Sequence, residues 1–271
     1  MKKLALYFTA SVLSLSAFTA SADAISDAVK SDNRSAEAKL RDEYRHPQQT
    51  LRFFGVEPDM TVVEIWPGGG WYTDILTAVV KGEGKYVGAH FYVDNETRDY
   101  YRNARAKFSE KVKTYPPYSE VVVATFHPVK ALDIVDAGSA DVVLTFRNVH
   151  NWYMNAGLEG LDNAFKAFYD ALKPGGVLGV VEHELPESAS DDAMKSSGYM
   201  KRSVVMAAAE KAGFVLAASS DINANPMDSA DHPKGVWTLP PTLALGDQDQ
   251  AKYLGIGESN RMTLKFVKPK A

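Results

Sequence analysis

The sequence predicts an α/β fold: a seven-stranded, mostly parallel sheet flanked by helices. Three observations carry that prediction. Val62-Val63-Glu64-Ile65-Trp66 is an apolar, β-branched run that ends at Pro67-Gly68-Gly69-Gly70. It passes into the helix-patterned Asp74-Ile75-Leu76-Thr77-Ala78-Val79-Val80, giving strand, tight glycine turn and helix. Strand-like and helix-like segments then alternate as far as Ser219, the pattern of parallel strands joined by helical crossovers. The last run, Arg261 to Lys268, follows a connection without a clear helix, which lets it enter antiparallel.

Met1-Lys2-Lys3, a mostly apolar Leu4 to Phe18 and Ala20-Ser21-Ala22 read as a cleaved signal peptide over residues 1–22, so the mature chain starts near Asp23 and is periplasmic or secreted. The run is too short and too polar to span a bilayer comfortably. Residues 23–55 form an N-terminal helical cap: Glu37 to Arg45 is one helix, stopped before Pro47, and Leu51-Arg52-Phe53-Phe54-Gly55 is a second that ends at glycine. Residues 56–271 are the α/β domain proper. Its second strand is Tyr86 to Phe91, followed by a charged helix over Glu96 to Lys111. Glu120 to Thr125 is Val-rich and reads as a buried third strand, and Ala140 to Phe146 is the fourth. Apolar residues at helical spacing mark Leu158 to Leu172, closed by Lys173-Pro174-Gly175-Gly176. Val177 to Val181 is the fifth strand, Ser203 to Ala212 a helix and Phe214 to Ser219 the sixth strand. A loop-like insert rich in Pro, Asp and Gly occupies about 223–260. Loops of that length are functional or mobile more often than idle.

Composition narrows the function. The 271 residues are 45% hydrophobic and 24% charged, which is enough to bury a core. Net charge is −4, and losing Lys2 and Lys3, the only charges in residues 1–22, takes it to −6. There is no basic block and no aromatic–basic interleaving, so no nucleic-acid partner is expected. Without cysteine the chain has no disulfide framework and no thiol nucleophile, and there is no Gly-x-Ser-x-Gly elbow.

Glycines after a first strand let a backbone approach a ligand, beside the unpaired N–H groups of the next helix. The nicotinamide fingerprint needs a third glycine where this chain has Thr73, which disfavours that class. Arg147-Asn148-Val149-His150-Asn151-Trp152 follows the fourth strand, at the edge where such sheets bind ligands. His150 is either a general base or a satisfied structural histidine, and Asn148 and Asn151 have the chemistry to orient a hydroxyl or amine. Glu182-His183-Glu184 resembles a metal cluster on paper, but strand neighbours point to opposite faces, so no metal is expected. One of its acids or His183 facing a substrate is the better reading. His46 closes the pocket or simply ends a helix, and Asp231-His232 belongs to a lid or to a surface loop.

Three segments together resemble a class I S-adenosylmethionine-dependent methyltransferase, with its Rossmann-like fold. They are the glycine turn, Ser139-Ala140-Asp141-Val142-Val143, and Leu172-Lys173-Pro174-Gly175-Gly176-Val177-Leu178. Glu64-Ile65-Trp66-Pro67-Gly68-Gly69-Gly70-Trp71-Tyr72-Thr73, with the leader, is most similar to the exported bacterial predicted methyltransferases. The resemblance implies S-adenosyl-L-methionine as cofactor, held by Glu64, Pro67, Gly68, Gly69, Gly70, Thr73, His90 and Asn148. It implies transfer to a small-molecule acceptor, with His150 and then His183 as candidate catalytic bases. Oligomeric state is left open. The chain departs from the family at Trp66, where glycine is usual, and at His90, where an acid usually holds the ribose. Asp94 is the nearest substitute for that acid, and His127-Pro128 replaces the usual acid near the adenine. These departures favour the competing class, a non-catalytic ligand-binding or regulatory module that retains the fold.

Overall fold

A computed structural model describes residues 24–270; the expected leader, residues 1–22, lies outside the described residues. A helical segment over 24–30 (α1) is followed by three short helices, α2 (Ala36–Leu40), α3 (Asp42–Arg45) and α4 (Pro47–Phe54). The single helix expected over Glu37 to Arg45 is thus two, broken at Arg41, and His46 turns left-handed (φ 40°) to start α4 on Pro47. Pro at the first helical position and Gly55 (φ 77°) beyond the last define α4 by local chemistry alone.

The α/β part runs β1 (Thr61–Ile65), α5 (Thr73–Val79), β2 (Lys85–Phe91), α6 (Asp99–Thr114), β3 (Val122–Phe126), β4 (Ala140–Phe146), α7 (Val149–Ala171) and β5 (Leu172–Leu185). It continues with β6 (Met200–Lys201), α8 (Arg202–Ala212), β7 (Val215–Ser220), β8 (Pro233–Val236), α9 (Gln250–Ile256) and β9 (Arg261–Val267). The sheet order is β3-β2-β1-β4-β5-β9-β7, with β6 pairing the tip of β5. β1 to β5 are parallel, and β9 enters antiparallel between β5 and β7, the orientation expected, although the connection before it carries a helix, α9. No helix of the described residues is long and apolar enough to cross a membrane.

Strand alternation divides the core. Val63, Ile65, Val87, Ala89 and Val143 face one way, into a cluster with α7 and α8. Val62, Tyr86, Val142 and Leu144 face the other way, against α1, α4 and α5. Gly179 on β5 lets α4 come close: a Cβ there would meet the Phe54 ring at 2.8 Å.

Three further expectations need correction. β3 is an edge strand, and Val122 is 43% exposed rather than buried, because the sheet ends there. α7 begins at Val149, not Leu158; its first part is set off by a non-helical Gly157 (φ 61°), so the apolar spacing marks only the second part. The insert is not a bare loop, since it carries β8 and α9.

Candidate functional site

A cavity of about 1040 Å³ opens over the carboxyl ends of β1, β4 and β5. This is where the strand order turns from β1–β2 to β1–β4, the switch point at which open α/β sheets bind ligands. The cap supplies Arg41 and Arg45, the β1 turn Pro67, Gly68 and Gly69, the segment after β4 Arg147 to Asn151 in part, and the insert Trp237, Glu258 and Ser259. Two strand ends at its floor are left-handed without being glycine, Trp66 (φ 49°) and Arg147 (φ 62°). Each such residue costs about 1–2 kcal/mol, strain of the kind that collects at functional sites.

The glycine turn is built as a cradle. Gly68 (φ 59°) and Gly69 have nothing within 4 Å of where a Cβ would stand, and both line the cavity. Behind them sits Glu64, only 3% exposed. Tyr86 Oη donates to its Oε2 (2.6 Å), as does Thr73 Oγ1 (2.8 Å). Burial pushes Glu64 up to about 7 despite those two hydroxyls. Gly70 faces away from the cavity, since a Cβ there would strike Tyr118 Oη at 2.6 Å. His90 is fully buried, and burial pushes it down to about 4. Its Nδ1 accepts from the Phe91 amide (2.8 Å), so Nε2 carries the proton and donates to the Gly68 carbonyl (3.2 Å). The residue at the ribose-acid position therefore clamps the glycine turn from behind. Asp94 turns instead to Lys130 (2.6 Å), beside His127 in a smaller recess of about 220 Å³.

The catalytic candidates meet at the tip of β5. Glu182, fully buried, accepts from the amides of Val149 (2.6 Å) and His183 (2.8 Å). A carboxylate with those donors only accepts, so His150 Nδ1 donates to its Oε1 (2.8 Å) and Nε2 is left as the ring's basic atom. The same bond explains the start of α7: Glu182 caps an N-terminal amide that no side chain of the helix itself satisfies. His183 Nδ1 pairs with Ser259 Oγ (2.5 Å), and burial, with His150 and three arginines nearby, pushes it well down. His150 and His183 line the cavity with ring centroids 5.3 Å apart. Among the described residues, His150, Glu182 and His183 are the one group close enough to hold a metal ion. Both oxygens of Glu182 are already taken by protein donors, and Glu184 is drawn off to Arg202 (2.8 Å). Asn148 lines the cavity and donates to the Ile65 carbonyl (2.9 Å), tying β4 to the β1 turn. Thus Glu64, Pro67, Gly68, Gly69, Asn148, His150 and His183 line one cavity, while Gly70, Thr73 and His90 support it. His46 is not among the lining residues, and His232 pairs with Asp228 (2.8 Å). Trp152 is wholly core, packed on Trp66, Phe126 and Phe168.

Sequence reasoning missed a second cluster of charged residues at the cavity. Glu258, 4% exposed, is met by Arg41 (2.6 Å), Arg45 (3.1 Å), Arg261 (3.2 Å) and Arg147 (3.7 Å). Arg45 also stacks over the Trp71 ring at 4.6 Å. Burial by itself would raise Glu258, but Arg45, Arg261, Arg147 and Arg41 hold it at about 2. Arg41 and Glu258 are separated by 217 positions in the chain, so no local pattern announces them.

This strand order, with its antiparallel β9 and its cradle after β1, is the class I fold of S-adenosylmethionine-dependent methyltransferases. Solved structures of that class share it. An S-adenosylmethionine-dependent methyltransferase from Aquifex aeolicus superposes at TM-score 0.53 over 86% of this chain and 97% of that one, at 16% identity. A putative sarcosine dimethylglycine methyltransferase from Galdieria sulphuraria gives 0.56 over 87% of each chain, at 15% identity. Geranyl diphosphate C-methyltransferase from Streptomyces coelicolor A3(2), solved with Mg2+, geranyl diphosphate and S-adenosyl-L-homocysteine, gives 0.56 over 89% of this chain and 88% of that one, at 14% identity. At such identities the likeness is one of fold. No protein-family model and no curated protein matches the sequence.

Proposed function

We propose that the chain is an S-adenosylmethionine-dependent methyltransferase acting on a small molecule. One observation carries the reading: the open cradle at Gly68 and Gly69 shares a single cavity with His150, whose Nδ1 is committed to Glu182. Bound there, S-adenosylmethionine supplies a methyl group on a sulfonium, whose displacement leaves S-adenosylhomocysteine. The residues do the rest. Gly68 and Gly69 admit the ligand because they lack side chains, His90 holds their turn at the Gly68 carbonyl, and Glu64 anchors Thr73 at the start of the helix that follows. His150 Nε2 takes the proton from an acceptor hydroxyl or amine, and Glu182 steadies the imidazolium that forms. Positioning supplies most of the remaining acceleration. The leader supports an exported, periplasmic placement of the exported bacterial kind; N-terminal sequencing of protein recovered from the periplasm tests it.

A second reading, a binding module without chemistry, draws on His90 and on the engagement of Asp94 with Lys130, which leave the ribose without its usual carboxylate. Calorimetric titration of the protein with S-adenosylmethionine and S-adenosylhomocysteine, against Gly68→Arg, decides whether the cradle takes the cofactor. Micromolar binding that the variant abolishes is expected, since arginine would both fill the cradle and adopt a left-handed φ. Absence of heat and of thermal shift at millimolar ligand sinks the reading.

A further inference from the structure

The wall around Glu258 holds more positive charge than its one carboxylate balances. Four guanidiniums face one acid, and two of them, Arg45 and Arg261, are only 3% exposed. Burying cations is costly unless each is paired, and a spare buried charge is not how a fold gains stability. The four are not equivalent. Arg261 spends its donors on Glu258 (3.2 Å), the Tyr44 carbonyl (2.6 Å) and the Ser259 carbonyl (3.1 Å), and it anchors the start of β9. Arg45 gives Nε to Glu258 (3.1 Å). Arg41 gives Nε to Glu258 (2.7 Å), while its buried Nη2 lies 2.6 Å from the same oxygen without the alignment of a hydrogen bond. Arg147 donates from its side chain to no protein acceptor among the described residues; Glu258 is 3.7 Å away, a charge contact only.

Arg147 is also the residue whose backbone is left-handed at the end of β4, with its amide locked to the Val181 carbonyl (2.7 Å). Its guanidinium is held at the cavity with its fork of donors unspent, and Arg41 stands on the same wall. Planar, bidentate donors of this kind match a carboxylate or a phosphate. The position selects which partner. Arg147, Glu258 and Arg261 lie at the ends of β4 and β9, beside His150 and the His183–Ser259 pair, and on the far side of β1 from β2.

We propose that the methyl acceptor is an anion whose carboxylate or phosphate docks on Arg147 and Arg41, with its nucleophilic atom turned to His150. The inference rests on the methyltransferase reading, and its test separates the two. Benzyl alcohol, benzoate and phenyl phosphate serve as probes of matched size, titrated into the full chain with and without saturating S-adenosylhomocysteine. Arg147→Met, Arg147→Lys and Arg41→Met are titrated alongside, with thermal melts to confirm that each is folded. The wild type should bind the two anions at least tenfold more tightly than the alcohol, with S-adenosylhomocysteine present, and the margin should shrink in high salt. Arg147→Met should erase that margin, and Arg147→Lys should keep part of it. Arg41→Met, at the rim, should reduce it. Equal binding of the alcohol and the anions overturns the proposal. So does loss of anion binding once S-adenosylhomocysteine is saturating, coupled to weaker S-adenosylhomocysteine binding in Arg147→Met, for then the wall holds the amino-acid carboxylate of the cofactor. Selective anion binding by a protein that takes no S-adenosylhomocysteine leaves the oxyanion site standing and removes the methyltransferase reading instead.

Discussion

Glu64 and Glu258 are both almost wholly buried and both line the same cavity, yet their surroundings drive them apart. Glu64 is held by two hydroxyls and forms no ion pair with Lys or Arg among the described residues; burial outweighs those hydroxyls and the more distant charge of Arg147 and raises it to about 7. Glu258 has four guanidiniums around it and stays at about 2. The first wall is poised to be neutral or singly negative near neutral pH, while the second is fixed positive. The difference teaches that residue type alone does not assign a role to a buried acid. Glu64 ties the start of α5 to β2 within the β1–α5–β2 unit, and Glu258 gathers cations from across the fold.

The comparison breaks most sharply at Glu258. Glu258→Gln leaves Arg45 and Arg261 buried without a counter-charge, and removing one partner of a buried ion pair costs about 3–5 kcal/mol. Denaturant melts at neutral pH should show that loss. The sign with pH is fixed: a carboxylate held below its ordinary 4.5 contributes stability above 4.5, and that stability disappears as pH falls toward 2. The gap between wild type and variant should therefore close in acid. A smaller effect falls on the third buried carboxylate, Glu182. Glu182→Gln keeps the shape but removes the charge that steadies an imidazolium and turns one acceptor oxygen into a donor that competes for the His150 tautomer, so methyl transfer should slow by roughly 10²- to 10³-fold, about 3–4 kcal/mol. S-adenosylhomocysteine affinity should be unchanged, and the pH–rate profile should shift, which a merely structural role would not produce.

The two walls also differ in how far sequence revealed them. The cradle was legible because its own chain is local: a β-branched run, three glycines, and an acid one residue before the strand ends; the bonds from Tyr86 and His90 that back it come from β2. The antiparallel β9 was expected from a connection without a helical pattern, yet that connection carries α9, so its orientation was right and its ground was not. His150 and His183 were readable as candidates, but their link through Glu182 was not, because strand alternation says which face a side chain takes and not which helix end it meets. Trp66 and Trp152 are core, and Trp71 is covered by the guanidiniums of Arg34 and Arg45. The cationic wall has no sequence signature, since Arg41 and Arg45 come from the cap, Arg147 from β4, and Glu258 and Arg261 from the last connection.

The remaining wall is sharpened by Glu64→Gln. A carboxyl raised to about 7 in the folded chain, against an ordinary 4.5, binds its proton more tightly folded than unfolded. Its contribution is then fully present below 4.5, declines as pH rises, and levels off above 7. At about 1.36 kcal/mol per pH unit the decline amounts to about 3 kcal/mol at most. Glutamine has nothing to titrate, so it escapes this decline. His90, lowered to about 4, contributes the opposite slope between 4 and its ordinary 6.5, but it does so in both proteins and cancels from their difference. The stability of Glu64→Gln relative to wild type should therefore climb between pH 4.5 and 7. Thermal melts at half-unit steps measure that climb. A flat difference would mean that Tyr86 and Thr73 stabilise the ionised carboxylate fully, so that both walls carry permanent charge of opposite sign across neutral pH.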